Sequence, residues 1–410
     1  MSGTELADGP LFEKWERNGL ELANRLAVAP MTRVSATPLG VPTPAMVRYY
    51  TRFARGGFGL VITEGIYTDR AYAQGYANQP GLTDAEQLGG WRSVVDAVHA
   101  AGGKIVAQLM HAGALAQGNR FRGEPAGPSA VAPKGLQMPF YGGQGPYRTP
   151  LAMSPADIRA AIDGFASAAN LARAAGFDGV EIHGANGYLL DQFLTGYTNR
   201  RSDDWGGTIE RRVRLCVGVA QAVRAAVGTH FPVGMRISQA KVNDFEHKWP
   251  EGEDGARIVF GLLADVGLDF LHVTEFEAWK AAFGDTGPSL VALARRYAPG
   301  VTMIANGSLH APQRALQLLE DGADIIALGR GALANPDWPN RLAGGEPLAG
   351  FDRELLAPLA DIKPSELAQR GVDGRREEIG GPPGRQAGSD PIREGRAQAG
   401  PAERKDPCHR

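Results

Sequence analysis

Short apolar runs separated by amphipathic stretches set the rhythm of this chain. Eight runs rich in Val, Ile and Leu fall at 26–30, 60–64, 105–110, 179–183, 233–238, 270–274, 302–306 and 325–329, each bounded by glycine or polar residues. Their brevity and near-continuous apolarity predict strands buried on both faces, as in a parallel sheet covered by helices. Stretches with helical spacing lie between most of them, at 45–55, 84–101, 155–175, 209–227, 252–266 and 312–321. In 155–175, Ile158, Ile162, Phe165, Ala169 and Ala172 share one face. Ser154 before Pro155, with Asp157 three positions on, marks the start of that helix. Eight strands alternating with helices predict an α/β fold, a single (β/α)8 TIM barrel. A doubly wound sheet competes, but it carries a glycine fingerprint after its first strand. Here that strand runs into Ala29-Pro30-Met31-Thr32. The cluster Gly56-Gly57-Phe58-Gly59 precedes a strand and reads as a helix-to-strand turn.

The alternation stops near residue 369. Residues 370–410 are rich in Gly, Pro, Arg, Glu and Asp and poor in large apolar side chains. They bury too little surface to offset ordering entropy, so the expected organisation is a barrel over 1–369 and a disordered polar tail over 370–410. A long Gly- and Pro-rich connection spans 111–149 after the third strand. Loops of that length commonly cover a site, and Phe140, Tyr141 and Tyr147 are its candidate wall residues. The net charge of −2 argues against a polyanionic partner, so no nucleic acid is expected. Cys216 and Cys408 belong to no CxxC or Cys/His cluster, which disfavours a disulfide framework and a metal site. The first ten residues lack an apolar signal core, and no run of about 18 apolar residues occurs. A cytoplasmic protein without a membrane partner is the expectation. Oligomeric state is not legible, and a homo-oligomer stays open.

Barrel enzymes place their chemistry at the C-terminal ends of the strands. Those ends deliver Thr32, Glu64-Gly65, Gln108, His183, Arg236, Gly307-Ser308 and Gly329-Arg330. Neutral hydrogen bonders and arginines dominate, which is not the donor set of a metal cage or of paired-carboxylate hydrolysis. Asn306-Gly307-Ser308 and Gly329-Arg330-Gly331 end the last two strands. Small residues let backbone N–H groups approach a phosphate, and an arginine adds a charged fork. The fourth strand ends in His183-Gly184-Ala185-Asn186-Gly187-Tyr188. His183 and Asn186 are suited to stabilise charge developing on a carbonyl oxygen, and Tyr188 to donate a proton to carbon.

These residues and their order resemble the Old Yellow Enzyme family of FMN-dependent ene-reductases. The resemblance covers nearly all of 11–345. It rests on Ala29-Pro30-Met31-Thr32-Arg33, Val61-Ile62-Thr63-Glu64-Gly65, Gln108-Leu109-Met110-His111-Ala112-Gly113 and the segment from His183 to Phe193. Asn199-Arg200-Arg201-Ser202-Asp203, Gly206-Gly207, Gly234-Met235-Arg236-Ile237-Ser238, Ala327-Leu328-Gly329-Arg330 and Asn335-Pro336-Asp337 complete it. The resemblance implies non-covalent FMN lined by Pro30, Met31 and Thr32, with Gly65 and Gln108 on the ring and its pyrimidine edge. Arg236 would face the N1–C2 region, and Gly307, Ser308, Gly329 and Arg330 would hold the phosphate. It further implies NAD(P)H as reductant and an electrophilic alkene as small-molecule substrate. His183 and Asn186 would bind the substrate oxygen, and Tyr188 would protonate the α-carbon.

The chain departs from relatives in three places. Ala114 follows Gly113 where many relatives have Arg, Met110 stands where some have Trp, and 351–362 lacks a Gly- and Tyr-rich loop. Trp279 or Phe283 after the sixth strand would replace that aromatic wall. Other barrel chemistries fit less well. Two cysteines exclude an iron–sulfur dienoyl-CoA reductase. Lys104 begins a strand and Lys241 is placed beyond the fifth, so neither suits a Schiff-base aldolase. No GxSxG occurs. A flavin-binding barrel that acts only as an interaction protein is the non-enzymatic alternative, and it leaves His183, Asn186, Tyr188, Thr32 and Arg236 without a role.

Overall fold

The computed structural model describes residues 9–17 and 19–368. The expected tail at 370–410 lies outside the described residues. Eight parallel strands form the centre: β1 (Leu26–Val28), β2 (Leu60–Ile62), β3 (Lys104–Met110), β4 (Gly179–Asn186), β5 (Val233–Lys241), β6 (Phe270–Thr274), β7 (Thr302–Asn306) and β8 (Ile325–Leu328). Each pairs with its neighbours in chain order, and β8 returns to β1 in the register Ile326↔Leu26, closing the barrel. Helices surround it, chief among them α1 (Pro44–Arg55), α2 (Ala85–Ala100), α3 (Pro155–Ala175), α4 (Arg214–Val227), α5 (Gly252–Asp265), α6 (Leu290–Tyr297), α7 (Pro312–Glu320) and α8 (Trp338–Ala343), with a short helix at Leu189–Leu194 after β4.

Local sequence explains the element ends. Ser154 and Asp157 form a reciprocal capping box at α3, worth about 1 kcal/mol. Gly176 closes the same helix at φ 94°, a left-handed position that glycine occupies without a Cβ penalty. The expected helix over 209–227 divides into a turn at Ile209–Arg212 and α4. Two strands run longer than their apolar pattern. β4 reaches Asn186 and β5 reaches Lys241, because these two polar residues pair with each other beyond a bulge after Ile237. Backbone pairing does not require apolar side chains, so periodicity does not register this extension.

The barrel interior is apolar at one end and polar at the other. Ala27, Leu60, Val106, Phe270, Ile304 and Ile325 fill the N-terminal end. Leu20 and Leu22 of an antiparallel hairpin (Trp15–Arg17 with Leu20–Leu22) pack onto the same cluster. Gly234 on β5 makes room there, since a Cβ would fall 2.1 Å from the Phe270 ring. Alternate strand residues such as Ile105, Ile182, Met235 and Leu271 face the helices. Toward the C-terminal ends the buried positions become Gln108, Glu181, His183, Arg236, His272 and Thr274.

Two excursions reach that polar end. The connection between β3 and α3 carries short turns at Gly113–Leu115 and Pro139–Tyr141, and its Ala126–Gly127 pairs with Leu151–Ala152. The C-terminal segment ends in a short helix, Pro364–Ala368, tied to the barrel by charge. The Arg33 guanidinium bonds the Glu366 carboxylate and the carbonyls of Ala360 and Asp361, and Arg52 bonds Glu366 as well. Arg33 and Glu366 are 0% and 1% exposed, so losing Glu366 strands the buried Arg33 charge, which costs about 3–5 kcal/mol. Among the described residues no helix is long and apolar enough to cross a membrane, and no His/Cys/Asp/Glu group could hold a metal.

Candidate active site

A cavity of about 340 Å³ opens at the C-terminal ends of the strands. That lies within the range of roughly 300–1,000 Å³ typical of small-molecule and cofactor sites. Pro30, Met31 and Thr32 after β1, with Gln108 and Met110 on β3, form one side. His183, Asn186 and Tyr188 come from the end of β4, and Arg236 from β5. Gly307, Ser308, Gly329 and Arg330 come from the ends of β7 and β8. In a ring of eight, β4 and β8 stand opposite, so the cavity lies between the His–Asn–Tyr group and the arginine-bearing end.

The β4 group is oriented by its own backbone. Nδ1 of His183 accepts the Ala185 N–H at 3.4 Å, so the ring proton resides on Nε2, which makes no bond among the described residues. Burial, the Arg236 charge and His272 hold the imidazole well below its ordinary pKa, so His183 is neutral. Asn186 adopts φ 61°, a left-handed conformation that asparagine tolerates better than most residues. Its N–H donates to Ser238 Oγ at 2.9 Å. Tyr188 is 5% exposed, and its ring meets His183 edge-on at 4.9 Å between centroids. The hydroxyls of Tyr188 and Tyr76 lie 2.5 Å apart. Burial pushes the Tyr188 phenol up to about 12, so it keeps its proton through the neutral range.

The β4 turn rests on a buried ion pair. Lys241 Nζ donates to both Asp191 oxygens at 2.7 and 2.9 Å. Asp191 also accepts the Gly187 N–H at 2.6 Å, between Asn186 and Tyr188. On the neighbouring strand β5, Arg236 donates to Asn306 Oδ1 at 2.7 Å and Thr274 Oγ1 at 3.2 Å. Its Nε is buried with no partner among the described residues. Gly307 has φ 141° and Ser308 φ 54°. A Cβ at Gly307 would sit 2.1 Å from the Glu275 carbonyl oxygen, so only glycine fits that turn.

The structure brings together every sequence-predicted site residue except Gly65. That glycine lies behind Met110, whose sulfur would be 2.3 Å from an added Cβ, and it is not part of the cavity wall. The expected aromatic wall also moves. Trp279 and Phe283 turn back onto the core, with Arg314 stacked over Trp279 at 4.6 Å. Phe245 and Phe276 line the mouth instead, with ring centroids 6.4 Å apart. Of the loop aromatics, Tyr141 lines the cavity. Tyr147 packs behind it in the cluster of Tyr76 and Tyr188, and Phe140 is partly exposed. Lys241, placed by its sequence position beyond the fifth strand, is the last residue of β5 and buried. Tyr76 carried no sequence signal, because it lies in a loop 112 residues from its partner. Glu181 and His272 were hidden inside apolar runs.

The family model for the NADH:flavin oxidoreductase / NADH oxidase family matches residues 10–349. The chain is 38% identical over 338 residues to a probable flavin mononucleotide-dependent alkene reductase of Leishmania infantum, covering 80% of this chain and 89% of the relative. Among solved structures, an old yellow enzyme homologue from Zymomonas mobilis superposes with a TM-score of 0.78 at 32% identity, covering 88% of this chain and 98% of that one. Morphinone reductase in complex with tetrahydroNAD superposes at 0.74, also 32% identical, covering 85% and 94%. A closed parallel barrel, a rim of this composition and a family match across most of the length agree: the chain belongs to the NADH:flavin oxidoreductase / NADH oxidase family, the FMN-dependent oxidoreductases of Old Yellow Enzyme type.

Proposed function

We propose that this chain binds FMN without a covalent link and, with NADH or NADPH as reductant, reduces the C=C bond of α,β-unsaturated carbonyl or nitro compounds. The observation that carries this reading is the grouping of neutral His183, Asn186 and protonated Tyr188 on one wall of the cavity. The opposite end, with Ser308 and Arg330 beside two small glycines, has the chemistry of a phosphate site. The residues present fit FMN. Arg236 lines the cavity with a buried Nε that lacks a protein acceptor, which suits a flavin carbonyl edge. Tetrahydro-NAD bound to the similar morphinone reductase supports a nicotinamide nucleotide as reductant.

FMN, when bound, supplies the hydride that reaches the substrate β-carbon. His183 Nε2–H and the Asn186 amide hold the substrate oxygen and stabilise the charge that develops there. Each such donor is worth about 10²–10³ in rate. Tyr188 delivers its proton to the α-carbon, and the Tyr76 hydroxyl holds the phenol in place. Arg236 stabilises negative charge on its side of the cavity. The test is direct. The purified protein is expected to be yellow, to release FMN on acid treatment, and to reoxidise rapidly in stopped flow when mixed with activated alkenes. A protein that cannot be loaded with FMN, or whose reduced form is inert to enones and nitroalkenes alike, refutes the reading.

A further inference from the structure

The barrel interior holds a buried carboxylate that the proposed reaction does not use. Glu181 on β4 is 0% exposed, and among the described residues its carboxylate makes no hydrogen bond to His183, Asn186 or Tyr188. Gln108 Nε2 donates to its Oε1 at 2.7 Å, and His272 Nδ1 lies 2.7 Å from its Oε2. Both contacts come from other strands, β3 and β6, so Glu181 joins three staves of the barrel. Burying an ionised carboxylate costs several kcal/mol, and a neutral amide of the same shape avoids that cost.

Two geometric facts indicate what this charge does. First, a glutamine amide has nearly the same shape whichever end points inward, so sterics alone leave its orientation open. An acceptor-only carboxylate decides it. The NH2 of Gln108 must turn to Glu181, which leaves its Oε1 and second N–H for the cavity that Gln108 lines. Second, Arg236 sits one strand over. Arg236 pairs in register with His183 and His272, and Gly234 pairs with Glu181. The guanidinium is held by two neutral groups, Thr274 and Asn306. Among the described residues no carboxylate bridges it directly. Glu181 supplies the nearby negative charge that favours charged Arg236.

We infer that Glu181 is a positioning residue for the flavin's pyrimidine edge: it orients the Gln108 amide and offsets the positive charge of Arg236, and so lowers the reduction potential of the bound cofactor. The inference rests on the FMN reading above. Positive charge near the pyrimidine edge favours the reduced, more negative cofactor, and a fixed negative charge behind it opposes that preference. Glu181 and Arg236 are both buried away from water, so the opposition is only weakly screened.

Glu181→Gln tests it, with FMN-loaded protein throughout. The midpoint potential of bound FMN is expected to move to a more positive value. FMN affinity of the stripped protein is expected to fall about tenfold, or ~1.4 kcal/mol, as Gln108 loses its orienting partner. Glu181→Asp restores the charge and is expected to return the potential toward wild type. A purely structural role for Glu181 lowers the melting temperature and leaves the potential where it was. Should Glu181→Gln not accumulate as folded protein, the pair Glu181→Leu/His272→Leu removes both buried groups together and is expected to show the same positive shift. An unchanged or more negative potential in either protein overturns the inference. A wild-type protein that binds no FMN fails the flavin reading itself, whereas a yellow wild type with an unshifted Glu181 variant fails this inference alone.

Discussion

Replacing Lys241 with methionine tests whether the β4 turn depends on a buried ion pair. Lys241 and Asp191 have side chains only 2% and 0% exposed. In the variant the Asp191 carboxylate keeps the Gly187 N–H and the Thr195 hydroxyl as donors and loses the only cation paired with it among the described residues. A buried carboxylate stripped of its partner costs about 3–5 kcal/mol, a large share of the roughly 5–15 kcal/mol that keeps a domain folded. Lys241→Met/Asp191→Leu removes both charges and orphans chiefly the Gly187 N–H, a penalty of about 1–3 kcal/mol. The double variant is therefore expected to be more stable than the lysine variant alone. Equilibrium urea unfolding of the two single variants, the double variant and wild type measures the coupling, provided the slopes agree. Because Gly187 lies between Asn186 and Tyr188, the lysine variant is also expected to raise KM for an enone. A lysine variant within about 1 kcal/mol of wild type, or a double variant at the sum of the singles, refutes the reasoning.

Three further outcomes are expected. Tyr188→Phe removes the proposed proton donor and should slow cofactor reoxidation by an enone about 10²–10⁴-fold. Flavin reduction by a nicotinamide nucleotide should be nearly unchanged, and equal slowing of both half-reactions rules Tyr188 out as the donor. Burial pushes the Glu64 carboxyl from an ordinary value near 4.5 up to about 7, even though the Arg33 and Val34 N–H groups and the Tyr50 hydroxyl donate to it. The folded state therefore prefers the protonated acid. That contribution, ~3 kcal/mol, is full below about pH 4.5 and lost as pH rises through about 7. Glu64→Gln should flatten this part of the stability profile, and parallel profiles for the two proteins contradict the assignment. Gly307→Ala forces a Cβ against the Glu275 carbonyl at φ 141° and should cost both folding stability and FMN affinity; equilibrium dialysis that finds wild-type FMN binding counts against the tight turn.

The barrel was legible because eight buried strands leave eight short apolar runs, and because capping residues such as Ser154 and Asp157 mark helix starts locally. The rim was legible for a related reason. Residues in the last part of a strand or just past it, such as Thr32, His183, Gly307 and Arg330, occupy the C-terminal face of the barrel. Gly65 obeys the same rule and still misses the wall, because whether a rim position faces the cavity depends on which neighbour covers it, here Met110. The aromatic wall failed for the same cause. Phe276 and Trp279 are three residues apart in one loop, and only the loop's path separates a mouth residue from a core residue.

The sequence by itself determined the alternation of strands and helices, the order of the rim residues and the family to which the chain belongs. These follow from periodicities and motifs that are local in the chain. The tertiary structure decided which polar residues meet. Tyr76 reaches Tyr188, Lys241 reaches Asp191, and Glu181 gathers Gln108 and His272 from separate strands. Such contacts join residues 50 to 112 positions apart, and closing the barrel brings them together. A buried polar group is costly enough to require a partner, but nothing local in the chain names which partner it finds.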